Sequence, residues 1–156
     1  MTEASAGTGS PSRTALPSGP VWRAGLLAAL AGTVANVVVW VLLQPVLDAG
    51  LQVPVQPGST ELNELPLGAV VGVTAVSSLV GAVVLWLLTR RGPSGVRLWV
   101  ILAVAFGVLS ALPAFGLDVS TGRQLGLVLF HLVATVTVIA VVRQQLARFA
   151  TADPHQ

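Results

Sequence analysis

The stretch AGLLAALAGTVANVVVWVLLQPVL, residues 24–47, lies between Arg23 and Asp48 and contains no charged side chain. Further uncharged stretches follow along the chain, at residues 65–89, 98–117 and 124–142. Each has close to the ~20 residues that an α-helix needs to cross a hydrocarbon layer of about 30 Å. The sequence therefore predicts an all-α protein, an antiparallel bundle of four transmembrane helices.

The composition argues against a soluble fold built on the same segments. Apolar residues make up 54% of the 156-residue chain and charged residues 9%, against roughly 25% charged in ordinary soluble domains. Buried strands or soluble core helices would lack polar residues to cover them, and outer-membrane strands would alternate apolar with polar residues over about 10 positions. Helices are favoured because a spanning segment must satisfy its backbone hydrogen bonds internally.

The predicted boundaries follow the charged and turn-forming residues. Residues 1–20 are rich in Ser, Thr, Gly and Pro, which predicts a disordered cytoplasmic tail. Residues 45–65 contain several prolines and the Pro57-Gly58 pair, so we expect an outer loop. Residues 147–156 are expected to form a second cytoplasmic tail. The transmembrane domain between the tails, residues 21–146, contains the predicted helices at about residues 22–44, 66–89, 98–117 and 124–146.

Arginine sets the predicted orientation, because cytoplasmic loops carry an excess of positive charge. With the amino terminus in the cytoplasm, only Arg123 of the arginines near the spans lies outside. We therefore expect both termini to be cytoplasmic, in a multi-pass protein of the bacterial inner (plasma) membrane. Trp22, Trp86 and Trp99 are expected to anchor the inner boundary and Trp40 the outer one. The arginines that determine this topology are Arg23, Arg90, Arg91, Arg97, Arg143 and Arg148.

One polar side chain in each predicted helix lies at a similar depth. Seven residues separate each of Asn36, Thr74, Ser110 and His131 from a residue near the predicted outer end of its helix, namely Leu43, Leu67, Leu117 and Gln124. This is a depth of ~10 Å at about 1.5 Å per residue. These residues are the candidate intramembrane polar layer. The layer has two interpretations, which the residues leave open. His131 binds a proton or a ligand, or it is a neutral imidazole that holds helices in register through a hydrogen bond to Asn36 or Ser110.

Pro113 is the candidate helix kink. It has no N–H and crowds the carbonyl of Leu109, four residues earlier, so we expect the third helix to bend beside Ser110. Small residues recur at four-residue spacing, which predicts tight helix packing and leaves open a homo-oligomer or a partner membrane protein. They are Ala28, Gly32 and Asn36 in the first helix, Gly68 and Gly72 in the second, and Ala103, Gly107 and Ala111 in the third.

Several classes of function find no support in the residues. The chain has no cysteine, which excludes disulfides and cysteine metal sites, and it has no glycine-rich phosphate loop. Its arginines are scattered singly between apolar stretches, which does not fit nucleic acid. We expect a protein that is not an enzyme, that has no metal or cofactor, and whose partner is the lipid bilayer. Its polar layer is structural or binds a small ligand or partner helix; the alternative is a small transporter or channel subunit that acts as an oligomer.

Three short motifs carry a resemblance to a known family. They are Ala35-Asn36-Val37-Val38-Val39-Trp40, Ser110-Ala111-Leu112-Pro113, and Leu127-Val128-Leu129-Phe130-His131-Leu132-Val133-Ala134. Together they resemble a family of uncharacterised four-helix membrane proteins of actinobacteria, known as a domain of unknown function. The resemblance covers about residues 21–146. It implies an integral membrane protein, implies no activity, and directs attention to Asn36, Ser110, Pro113 and His131.

Overall fold

The computed structural model describes residues 16–56, 59–92 and 94–152. Strands β1 (Gln52–Pro54) and β2 (Leu62–Glu64) pair antiparallel between the first and second helices, with Val53 opposite Asn63. The predicted all-α class is confirmed, and the small hairpin is an addition that lies inside the predicted loop. Within the described ranges the helices are α1 (Ser18–Val41), α2 (Leu67–Thr89), α3 (Ser94–Ala111) and α4 (Thr121–Ala152).

The helices have the length and composition of membrane spans. Across an 18-residue window the mean hydropathy of each is between 2.2 and 2.6. Spans of this kind are typical of a multi-pass membrane protein. In the part of the chain that the structure describes, four helical segments are long and apolar enough to cross a bilayer, namely Ser18–Val46, Leu67–Thr89, Ser94–Gly116 and Thr121–Thr151.

Helices α1, α3 and α4 extend beyond the uncharged stretches. The first begins at Ser18, inside the predicted tail at residues 1–20, and the last continues past residue 146 to Ala152. The third begins at Ser94 instead of residue 98. Arginine is a good helix former, so a charge that ends an apolar stretch does not end the helix. Residues 1–15 and 153–156, which make up the rest of the predicted tails, lie outside the described residues.

The end of α1 is shaped by Pro45. Proline cannot donate a backbone hydrogen bond to the carbonyl four residues earlier, and residues Leu42–Val46 form a wider π-type turn. The N–H of Leu47 donates to the carbonyl of Leu42, five residues back, at 3.0 Å. The chain then reverses through Asp48 and Gly50, which have φ angles of 48° and 57°. This reversal directs the hairpin back toward the bundle.

Pro113 lies where the α-helical part of α3 gives way to a 3₁₀ helix. The α-helical part of α3 stops at Ala111, and residues Leu112–Gly116 continue as a 3₁₀ helix with Pro113 in its first turn. A proline is tolerated in a first turn because its missing N–H would have no partner there. The predicted kink beside Ser110 stays a prediction, and the structure shows a change of helix type that begins after Ala111.

Helix α1 packs along both α2 and α4, and glycine makes these contacts close. A Cβ added at Gly25 would lie 2.6 Å from the Cβ of Ala82 in α2, and one at Gly32 would lie 2.9 Å from a methyl carbon of Val138 in α4. Both distances are shorter than van der Waals contact allows. Small residues that let backbones approach are typical of helix association in lipid.

The Gly68-x-x-x-Gly72 stripe of α2 does not take part in this packing. A Cβ added at either glycine would meet nothing within 4 Å, and both residues are exposed. Of the small-residue stripes in the sequence, those of α1 and α3 contain glycines pressed against a neighbouring helix, at Gly32 and Gly107. The stripe of α2 faces outward.

Large apolar side chains lie on the outside of the bundle as well as in its interior. Leu30, Val73 and Phe106 are all more than half exposed. Such a surface would promote aggregation in water, whereas it is ordinary where the surrounding solvent is lipid. The interior apolar residues form one cluster near the hairpin (Val39, Leu51, Leu65, Val70, Ala114, Leu127 and Phe130) and another near the chain termini (Val21, Ala28, Leu85, Trp99 and Val142).

Candidate functional site

Asn36 and Thr74 join α1 to α2 through their side chains. The Nδ2 of Asn36 donates to the Oγ1 of Thr74 at 3.0 Å. Asn36 is 3% exposed and Thr74 is 8% exposed, so water does not compete for this hydrogen bond. Buried polar groups cost free energy unless they are paired, which is why these side chains meet inside an otherwise apolar interface.

The side-chain oxygen of Asn36 has no hydrogen-bond partner among the described residues. This oxygen, Oδ1, is buried. An amide can use two donor hydrogens and an acceptor oxygen, so pairing with Thr74 satisfies it only in part. Asn36 therefore retains an unused acceptor in the interior.

Ser110 and His131 form a corresponding pair between α3 and α4. The Oγ of Ser110 lies 3.0 Å from the Nδ1 of His131 and 3.0 Å from the carbonyl oxygen of Gly107. A hydroxyl has one proton to donate. If it donates to Gly107, then Nδ1–H of the imidazole donates to Oγ; if it donates to Nδ1, then the imidazole carries its proton on Nε2. In either tautomer Nδ1 is occupied by Ser110.

A close approach of α3 and α4 supports the Ser110–His131 pair. A Cβ added at Gly107 would collide with the hydroxyl of Thr135, which lies one helical turn beyond His131. The absence of a side chain at Gly107 thus brings the two helices together near the pair. Because the two backbones are close, the short side chain of Ser110 reaches the imidazole of His131.

The residues of the predicted polar layer form separate pairs. Within residues 16–56, 59–92 and 94–152, the side chains of Asn36 and Thr74 bond each other, and those of Ser110 and His131 bond each other, with no hydrogen bond between the pairs. Of the alternatives considered for His131, its partner is Ser110. Within the same ranges, no group of three or more His, Cys, Asp or Glu is arranged to hold a metal ion.

Trp99 and Trp40, both expected to be boundary anchors, donate hydrogen bonds to backbone carbonyls of other segments. Trp99 is 3% exposed, and its indole N–H donates to the carbonyl of Gly81 at 2.8 Å, which joins α3 to α2. The indole N–H of Trp40 donates to the carbonyl of Leu65 at 2.9 Å. In both cases the position near a helix end predicted an anchor. The sequence could not show which carbonyl the indole would contact.

The hairpin inserts Leu51 into the bundle. Leu51 is fully buried, and its backbone N–H donates to the Oε1 of Gln44 at 2.7 Å, while the Nε2 of Gln44 donates back to its carbonyl at 3.4 Å. The lack of a side chain at Gly126 makes room, since a Cβ there would lie 2.7 Å from a methyl carbon of Leu51. Part of the predicted outer loop is therefore packed against α4.

Arginine and aromatic residues meet near the ends of α1, α2 and α4. The Cζ of Arg90 lies 5.0 Å from the ring centroid of Trp86, and the Cζ of Arg23 lies 5.7 Å from that of Phe149. The rings of Trp86 and Trp22 are 6.0 Å apart. Cation–π contacts of this length are attractive and hold the guanidinium groups near the apolar surface.

Comparison with known proteins gives a family and no activity. Neither a curated protein nor a solved structure matches the chain. A family model matches residues 17–148, which include α1 to α3, the hairpin, most of α4 and both polar pairs. The predicted resemblance to a family of unknown function is confirmed, over slightly more of the chain than residues 21–146. The chain belongs to the Family of unknown function (DUF6069).

Proposed function

We propose that this chain is an integral membrane protein without enzymatic activity, in which the helices run antiparallel and buried polar pairs hold neighbouring helices in register. Contacts between α1 and α2 support the antiparallel arrangement. Gly25, early in α1, lies against Ala82, late in α2, whereas Asn36, late in α1, bonds Thr74, early in α2. The order of contacts is reversed between the helices.

The same arrangement supports cytoplasmic termini in a bacterial plasma membrane. Both termini and the connection between α2 and α3 would then share one side of the bilayer. That side would carry Arg23, Arg90 and Arg91, while Arg123 would lie on the other. Positive charge is retained on the cytoplasmic side of short loops, so the arginine distribution favours this orientation.

One observation supports a structural role for the polar residues: their side chains are hydrogen-bonded to each other between helices. The Nδ1 of His131 is engaged by Ser110, and the amide nitrogen of Asn36 is engaged by Thr74. Interhelical hydrogen bonds of this type contribute about 0.6–2 kcal/mol each in membranes. The buried Oδ1 of Asn36 is an acceptor where a donor from a small ligand or a partner helix would complete the site.

Thiol labelling tests this proposal against the alternative of a transporter or channel. The chain has no native cysteine, so His131→Cys in the full-length protein supplies a single reactive group. In intact membranes we expect no reaction with a membrane-impermeant maleimide from either side. Thr60→Cys, in the loop, and Thr151→Cys, at the exposed end of α4, are positive controls for the two sides. Labelling of His131→Cys as rapid as that of either control would contradict a water-free interior at this position and favour a water-filled path.

A further inference from the structure

An open cleft lies where α2 ends and the chain turns toward α3. It has a volume of about 470 Å³ and combines two kinds of lining. Val84, Leu87 and Leu88 form an apolar wall, and Arg90 and Arg91 stand at its end. Leu87 is 48% exposed, so the apolar wall is continuous with the outer surface of α2.

The arginines of this cleft are positioned to bind an anion. The Cζ of Arg90 lies 5.0 Å from the ring centroid of Trp86, and a guanidinium in a cation–π contact keeps N–H groups that an anion can accept from. Arg91 follows it directly and is exposed. The acidic residues that the structure describes belong to the other two connections of the chain, at Asp48, Glu61, Glu64 and Asp118.

We propose that this cleft binds an anionic phospholipid, with the phosphate between Arg90 and Arg91 and an acyl chain along Val84, Leu87 and Leu88. The inference rests on the proposed location of the chain in a membrane. Guanidinium groups bind phosphate through parallel N–H···O bonds, and an apolar wall contributes only where hydrocarbon covers it. A free phosphate ion would satisfy the arginines and leave the wall bare. A lipid satisfies both.

Native mass spectrometry of the full-length protein in dodecyl maltoside, with added phosphatidylglycerol or phosphatidylcholine, tests the proposal. We expect retention of phosphatidylglycerol over phosphatidylcholine. The double variant Arg90→Gln/Arg91→Gln should weaken phosphatidylglycerol binding about 30-fold, roughly a factor of five for each arginine beside an anionic lipid. Leu87→Gln, which keeps both charges, should weaken it several-fold by wetting the wall.

The matched control is Arg143→Gln/Arg148→Gln, which removes the same charge from exposed positions of α4 outside the cleft. We expect it to retain phosphatidylglycerol within about twofold of the native chain. Equal losses in both double variants would overturn the site, since net charge alone would then explain binding. Competition by glycerol 1-phosphate at the concentration of the lipid would also overturn it, because the acyl chain would contribute nothing.

The result is separable from that of the proposed function. A protein that is monodisperse in detergent-free buffer would refute the membrane proposal itself. A protein that requires detergent and retains both lipids equally would refute only the lipid site. Circular dichroism of each variant, which should match the native helical signal, confirms that binding is compared between folded proteins.

Discussion

The Nδ1 of His131 lies 3.0 Å from the Oγ of Ser110, and this contact joins α3 to α4 beside the close approach at Gly107. The same hydroxyl reaches the backbone carbonyl of Gly107. A histidine that would stand out in an apolar helix as a reactive group is thus tied to a neighbouring helix. Its contribution is expected in the stability of the bundle.

A double-mutant cycle on His131 and Ser110 tests that expectation. His131→Ala and Ser110→Ala should each lower the free energy of unfolding by about 1 kcal/mol, with a coupling energy of roughly 0.6–1.7 kcal/mol, because either change removes the same hydrogen bond. His131→Gln, which keeps a polar group at this position, should lose less than His131→Ala. Unfolding by dodecyl sulfate in mixed micelles measures these values. Fully additive losses would show that the contact contributes nothing.

Thr74→Val should destabilise the protein by about 1–3 kcal/mol. The change preserves the shape of the side chain and removes the acceptor of the Asn36 amide, which leaves a buried amide with no partner. Combining it with Asn36→Ala should cost less than the sum of the single changes, since the orphaned amide is then absent. Thr137→Val, at a half-buried position of α4, is the control. The expectation fails if Thr74→Val and Thr137→Val have equal effects.

Glycine-to-alanine substitutions should separate packed from outward-facing positions. Gly25→Ala should cost about 1–3 kcal/mol because its Cβ would lie 2.6 Å from the Cβ of Ala82. Gly72→Ala, where the new methyl meets open space, should be neutral or stabilising by up to about 1 kcal/mol through helix propensity. The midpoint of thermal unfolding in detergent reports both. A large loss at Gly72 would indicate that a second copy or a partner covers that face.

Leu51→Ala should cost about 2–5 kcal/mol, the usual range for emptying a buried leucine site. Leu51 is fully buried beside Gly126, near the start of α4. We therefore expect it to stabilise that part of α4, although it lies in a connection between helices. Leu47→Ala, at a residue that is 66% exposed, is the matched control and should change the free energy of unfolding by less than 0.5 kcal/mol. Equal unfolding midpoints for both variants would show that the hairpin does not stabilise the bundle.

The polar residues show what the sequence pattern could predict and what it could not. Equal distance from the predicted helix ends brought Asn36, Thr74, Ser110 and His131 into one group, and the structure pairs these same residues. The pattern could not show that α1 bonds α2 while α3 bonds α4, because depth along a helix says nothing about the direction in which a side chain points. Rotation about each helix axis depends on packing against its neighbours.

Elements near the ends of the helices were the hardest to predict. Pro113 predicted a kink in the third helix, and the structure shows there the end of the α-helix at Ala111 and the start of a 3₁₀ turn. Trp99 carried an anchor signal, whereas its indole bonds Gly81 inside the bundle. For Trp99, the contact with a sequence-distant segment decided where the ring lies.

Residue order alone was enough to establish long apolar helices, because a backbone placed in hydrocarbon has to satisfy its hydrogen bonds within each segment. It also separated the arginine-rich connection between α2 and α3 from the two connections that contain acidic residues. Tertiary packing decided the rest: which polar side chains meet, which glycines are pressed against a neighbour, and that Leu51 enters the bundle. These features depend on how the helices are rotated and how closely they approach, and those quantities arise only when the helices contact one another.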